Sequence, residues 1–214
     1  SLSPDDIIRQ EQDPDIRKIL ENARRYSNER VNRLIQDQMI DAEELRKLFL
    51  FSNEFRGFSS GIEVTPGSVT ELAIKYLDIT STNTVADFGC GVGSSMVTMA
   101  ANGARSMTGI DLNSFPIDIA KVRFRLLKEQ YPDLNLKLTK SNLFDFSTQN
   151  HNLKYDRIFS HFPWRISKED SMENWKSELF EGGLLYPSNS EWFFMALIMS
   201  HLKDTGKAVL LAPR

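Results

Sequence analysis

Cysteine is almost absent: Cys90 is the only one in 214 residues. An internal disulfide and a cysteine-rich metal site are therefore excluded, and the composition fits a reducing cytoplasm, the expected location. Histidine is nearly as scarce. His151, His161 and His201 stand far apart and no group of His, Asp or Glu has metal-ligand spacing, so no metal is expected. Long hydrophobic runs are missing too, and the most apolar segment, Trp192 to Met199, falls well short of the ~18 residues of a membrane span. No membrane association is expected. The N-terminus carries Asp5 and Asp6 and no apolar stretch, unlike a signal peptide. Basic charge is not in excess either: 26 Lys and Arg against 29 Asp and Glu leave a formal net charge of −3, which lacks the basic stripe of an autonomous DNA binder.

What is present is a concentrated glycine motif. Val85-Ala-Asp87-Phe-Gly89-Cys-Gly91-Val-Gly93-Ser94 reads as an apolar strand that ends in an acid and opens into alternating glycines. Glycine tolerates positive φ, so such a chain turns sharply and brings backbone N–H groups close to a ligand. Two ligands compete for a turn of this kind. A dinucleotide site wants G-x-G-x-x-G with a pyrophosphate at the helix N-terminus. Here the last position is Ser94, and Asp87 stands where a pyrophosphate would be repelled. An acid suits a cationic or amine-bearing ligand, and S-adenosylmethionine has both a sulfonium and an amino group. Cys90 reads as a small residue tolerated between two glycines. Ser106 to Ile110 forms a second short strand ending at Asp111, roughly twenty residues past the first glycine, where a carboxylate reaches the ribose hydroxyls of an adenosine.

Residues 1–60 differ in character from residues 61–214. Asp13-Pro14 opens a long amphipathic helix whose apolar face includes Ile16, Leu20, Ala23, Val31 and Ile35, and Asp41 with Glu44 forms a capping pair for a second helix through Leu48 and Phe51. This is expected to be a helical prefix on a catalytic core. In the core, Thr65-Pro66 provides the cap and first turn of a helix, followed by strands at 84–88, 106–110, 135–139, 155–160 and 207–212 and helices at 94–101, 116–130 and 190–203. That alternation predicts an α/β, Rossmann-like fold, a parallel sheet flanked by helices, with ligands at the carboxyl ends of the strands.

The segment Glu63-Val-Thr65-Pro66 resembles the Y-T-P segment of adenine amino-methyltransferases, particularly the modification subunits of type I restriction-modification systems. Phe180-Glu-Gly-Gly183, Pro187 to Trp192 and Thr205 to Pro213 are similar, in order and spacing, to the stretch beyond the catalytic motif in those subunits. The resemblance covers most of residues 62–214; the chain stops at the fifth strand, so the last strands of the fold are expected to be missing. It implies a class I S-adenosylmethionine-dependent fold. The implied cofactor residues are Thr65, Pro66, Asp87, Gly89, Gly91, Gly93, Ser94, Asp111, Leu112, Asn142 and Leu143. Asn142 falls where the family usually places an acid against the adenine, and equally suits a turn after a strand.

The catalytic motif departs from the family pattern. Where Asn-Pro-Pro-aromatic is usual, the sequence reads His161-Phe162-Pro163-Trp164. An adenine amino nitrogen is a poor nucleophile until hydrogen bonds from its N–H groups to a side-chain acceptor and a backbone carbonyl localise its lone pair. The aromatic residue stacks on the extruded base. Trp164 and the Phe162 carbonyl can serve these ends, but His161 accepts only through an unprotonated nitrogen. It acts as the acceptor, marks altered chemistry, or is structural. The implied function is methylation of adenine in DNA, with DNA, a specificity subunit and a restriction subunit as partners. The alternatives are a catalytically degenerate cofactor-binding assembly module and a methyltransferase acting on an RNA or protein amine or amide.

Overall fold

The computed structural model describes residues 41–51, 64–161 and 190–211, with residues 12, 14, 17 and 18. Apart from residues 14, 17 and 18, which are helical, the expected long prefix helix lies outside the described residues, as do the stretch 180–189 and Phe162-Pro163-Trp164. Helix α1 (Ala42–Phe51) is followed by α2 (Gly67–Leu77), β1 (Thr84–Phe88), α3 (Ser94–Ala101), β2 (Ser106–Asp111), α4 (Ser114–Gln130), β3 (Asn135–Lys140), α5 (Leu143–Gln149), β4 (Tyr155–His161), α6 (Ser190–His201) and β5 (Leu202–Leu211). The strands form one sheet in the order β3-β2-β1-β4-β5, and every pairing is parallel.

The order reverses at β1, because the chain moves outward to β2 and β3 and then returns to β4 on the other side. Such a reversal opens a crevice at the strand carboxyl ends. It also places α3 and α4 on one face of the sheet and α5 and α6 on the other. Central strand β1 is buried at four of its five positions, whereas edge strand β3 has no fully buried residue. Val85 joins Met96, Met99, Phe124, Leu127 and Phe159 in one core layer, whereas Ala86 and Phe88 join Ile110, Phe144, Phe146, Ile158 and Leu197 in the other.

Helix α1 packs on the first layer. Its N-terminus has the expected reciprocal cap: the Asp41 N–H donates to Glu44 Oε2 at 3.0 Å and the Glu44 N–H to Asp41 Oδ1 at 2.7 Å. Leu50 is buried, and Arg46 pairs with Glu129 of α4.

Three elements differ from the sequence expectation. Helix α5 has no counterpart in the sequence pattern; four of its residues, Leu143, Phe144, Phe146 and Ser147, are buried, so tertiary packing holds a segment too short for a helical period to show. Helix α6 ends at His201 rather than 203, and β5 begins at Leu202 rather than 207. Leu202 pairs with Tyr155 and Lys207 with Arg157, so Lys203 to Gly206 bulges out and the regular pairing starts where the sequence places it. Among the described residues no helix is long and apolar enough to cross a membrane.

Candidate functional site

The glycine turn is built on the end of β2. The N–H groups of Gly89 and Cys90 both donate to the Ile110 carbonyl, at 2.8 and 3.0 Å, and the Gly91 N–H donates to Asp111 Oδ2 at 2.8 Å. Gly89, Gly91 and Gly93 have φ of 87°, 52° and 78°, the left-handed region that favours glycine. At Gly93 a β-carbon would lie 2.8 Å from Phe124 Cε2, so α4 closes the floor of the turn. At Gly91 a β-carbon would meet nothing within 4 Å, leaving open space on that side of the turn.

Asp87 ends β1 beneath this turn and is 1 % exposed. Its Oδ2 accepts the Ser95 hydroxyl, and its Oδ1 is buried with no partner among the described residues. Burial pushes its pKa up to about 7, with the Ser95 hydroxyl opposing the rise and the charge of Asp111 adding to it. Asp111 Oδ1 accepts the Asn113 N–H at 2.9 Å, so the carboxylate braces the turn and its own loop together. The Cys90 thiol is buried and pushed well above the ordinary thiol range, chiefly by burial and then by the charges of Asp87 and Asp111, so it is unreactive.

Across the crevice, Thr65 Oγ1 lies 2.9 Å from His161 Nδ1. The sequence assigns Thr65 to the cap of α2, but Pro66 occupies that position, no side chain caps the helix, and the Thr65 hydroxyl meets His161 instead. Proline at the cap leaves its carbonyl to accept the Val69 and Thr70 N–H groups, which frees the threonine. Val64, Thr65, Gly89, Cys90, Val92, Ser94, Ser95, Phe159 and His161 line one cleft of about 300 Å³ including its solvent-facing mouth. Three separate segments thus converge on the carboxyl ends of β1 and β4.

The remaining expected site residues sit further out. Leu112 is exposed beside Asp111. Asn142 caps α5, its Oδ1 accepting the Phe144 N–H at 2.9 Å, which realises the turn reading of that residue, and the Leu143 side chain is buried beneath it. His201, by its sequence position a charged partner of a helix dipole, is instead buried. Its Nδ1 lies 2.7 Å from the Leu153 carbonyl and its Nε2 2.9 Å from Ser147 Oγ, and burial lowers its pKa. It is a neutral core residue. Two residues near the turn escape the sequence reading: Ser95, the partner of Asp87, and Arg123, whose guanidinium reaches Ser94 and the Val92 carbonyl. A serine directly after the motif is the available signal for the first; an arginine inside an amphipathic helix offers none for the second. Among the described residues no His, Cys, Asp or Glu group could hold a metal.

The model of the N-6 DNA methylase family matches residues 48–214. The chain belongs to this family. A candidate protein N5-glutamine methyltransferase of Methanocaldococcus jannaschii is 26 % identical over 119 residues, 55 % of this chain and 56 % of its own length. A modification subunit of a candidate type I restriction enzyme from Vibrio vulnificus superposes with a TM-score of 0.57 at 17 % identity, covering 80 % of this chain and 40 % of that one. A methyltransferase from Thiobacillus denitrificans, solved with S-adenosylhomocysteine, gives a TM-score of 0.50 at 16 % identity over 77 % of this chain and 54 % of that one. The chain spans about half the length of these proteins. The fold of this N-6 methylase family member is the Rossmann-like one of S-adenosylmethionine-dependent methyltransferases, and S-adenosylmethionine is the cofactor that the resemblance implies. The residues fit that group: a buried acceptor at Asp87 lacks a partner among the described residues, and the turn is open over Gly91.

Proposed function

We propose that the protein methylates the exocyclic amino group of adenine in DNA, as the modification subunit of a restriction-modification assembly in which a specificity subunit reads the sequence and a restriction subunit joins. One observation carries the reading: the Thr65 segment and the start of the catalytic motif, His161, meet beside the glycine turn. When bound, S-adenosylmethionine supplies the electrophilic methyl group on its sulfonium. Asp87 holds the positive amino group, Asp111 takes the ribose hydroxyls, and Thr65-Pro66 lies along the methionine part. With Nδ1 engaged by Thr65, His161 accepts an N–H of the target amine through Nε2, which localises the lone pair on the attacking nitrogen. The Phe162 carbonyl accepts the second N–H and Trp164 stacks on the extruded base.

A second reading, methylation of a protein amide, is supported by the similarity to the glutamine methyltransferase. Tritiated methyl transfer from S-adenosylmethionine decides, run in parallel on unmethylated DNA and on a glutamine-bearing protein fraction, with the full-length protein and its specificity subunit. Label recovered as N6-methyladenine supports the first reading. Label on glutamine supports the second, and cofactor binding without transfer to either supports an assembly module.

A further inference from the structure

We propose that Arg123 is a positioning residue of the cofactor turn, and that through it the docking of helix α1 sets the affinity for S-adenosylmethionine. The guanidinium is 0 % exposed in the middle of α4 and reaches two other segments, the glycine turn and α1. Its Nη1 donates to the Val92 carbonyl at 3.2 Å and to Ser94 Oγ at 2.8 Å, one on each side of Gly93, and its Nη2 donates to the Leu50 carbonyl in the last turn of α1. Arg123 therefore ties α1 to the turn with one planar group.

Burying a charge is costly, and an aliphatic side chain would fill the same space. What an aliphatic residue cannot do is hold three acceptors from two separate segments at fixed angles, which the rigid five-donor fork of arginine does. Burial lowers its pKa only to about 10, so it stays protonated at neutral pH. A second contact puts the turn on the same stretch of α4. The ring of Phe124, the next residue, fills the space where a β-carbon on Gly93 would stand, and the Ala120 methyl lies 3.3 Å from that point. The turn is thus seated by packing from Phe124 and held by hydrogen bonds from Arg123. The second tie extends to the Leu50 carbonyl of α1.

The test is calorimetric titration of the full-length protein with S-adenosylhomocysteine, at a temperature where circular dichroism shows each variant folded, with amide hydrogen exchange at residues 91–95. Arg123→Met, similar in length but without donors, is expected to weaken binding about tenfold or more, the scale of a lost charged hydrogen bond, and to speed exchange at the turn. Arg123→Lys recovers part of the affinity. Leu50→Ala loosens α1 without touching the turn; it weakens binding severalfold in the wild-type background and has little effect once Arg123 is replaced. Affinity and exchange in folded Arg123→Met within about twofold of wild type would overturn the proposal, as would equal effects of Leu50→Ala in both backgrounds. Should Arg123→Met fail to fold, the same cycle with Arg123→Lys gives the answer.

Discussion

Thr65 and His161 are 96 residues apart in the chain and share a 2.9 Å hydrogen bond at the carboxyl end of the sheet. The bond to Nδ1 restrains the rotation of the imidazole. Replacing Thr65 by valine keeps the branched shape and removes the hydroxyl, a loss of about 1 kcal/mol or somewhat more in ring placement. Methyl transfer by Thr65→Val is expected to drop about five- to tenfold at saturating cofactor, by the same scale, while Thr65→Ser retains most of the rate. Steady-state kinetics on the accepted substrate checks this, and equal rates for valine and serine would show that the bond does not orient His161.

Asp87 is expected to make cofactor binding and stability respond to pH in opposite senses. Its folded pKa of about 7 lies above the ordinary 3.8, so between those values the folded state holds a proton that the unfolded chain has released. Stability therefore falls as pH rises through this window and stays low above it. Asp87→Asn should melt higher than wild type at about pH 8, by an amount worth a few kcal/mol, and the two should converge near pH 4. Binding of the amino-bearing cofactor needs the carboxylate, so wild-type affinity should strengthen from about pH 6 to 8 while that of Asp87→Asn stays weak and flat. Calorimetry and thermal melts at matched pH test both halves.

Gly91 and Gly93 separate strain from access. Gly93→Ala drives a β-carbon into Phe124 and is expected to cost about 1–3 kcal/mol of stability. Gly91→Ala meets no neighbour, so it should cost about 1 kcal/mol from its positive φ alone, yet it fills the open side of the turn. Denaturant melts should rank Gly93→Ala as the less stable variant, and titration should show cofactor binding impaired in both. Wild-type affinity in Gly91→Ala would mean that the ligand does not approach that glycine.

His201 contributes a pH slope of its own. Burial holds its pKa below the ordinary 6.5, so under that pH the unfolded chain takes up a proton that the folded state refuses. Stability falls as pH drops from 6.5 toward the folded value. The Asp87 titration opposes this, so the measurement belongs in the Asp87→Asn background: denaturation at about pH 5 and 7.5 should show a loss on acidification that His201→Gln abolishes.

Much of this site can be read along the chain because it is local. The acid, glycines and serine from Asp87 to Ser94 are contiguous, and their strand and helix flanks emerge from apolar pattern alone. The sheet is implied by the alternation of strands and helices, down to strand limits within a residue for β1 to β4. Chain order hides contact at long separation. Arg123 looks like one more charge on a mixed helix until the fold brings Leu50 and Val92 to it. His201 looks like a surface terminus until Phe88 and Phe146 close around its ring. The Thr65 hydroxyl, expected to cap a helix, turns toward a histidine supplied by a distant strand.

Cys90 has a use that its lack of chemistry creates. The thiol is shielded between the turn and β2, where Gly109 leaves room for its sulfur, and a thiol reagent can reach it only when the turn lifts. As the sole sulfhydryl in the chain, it converts each opening into one countable covalent event. The rate of labelling then clocks the breathing of the cofactor turn, and a bound ligand that latches the turn slows that clock.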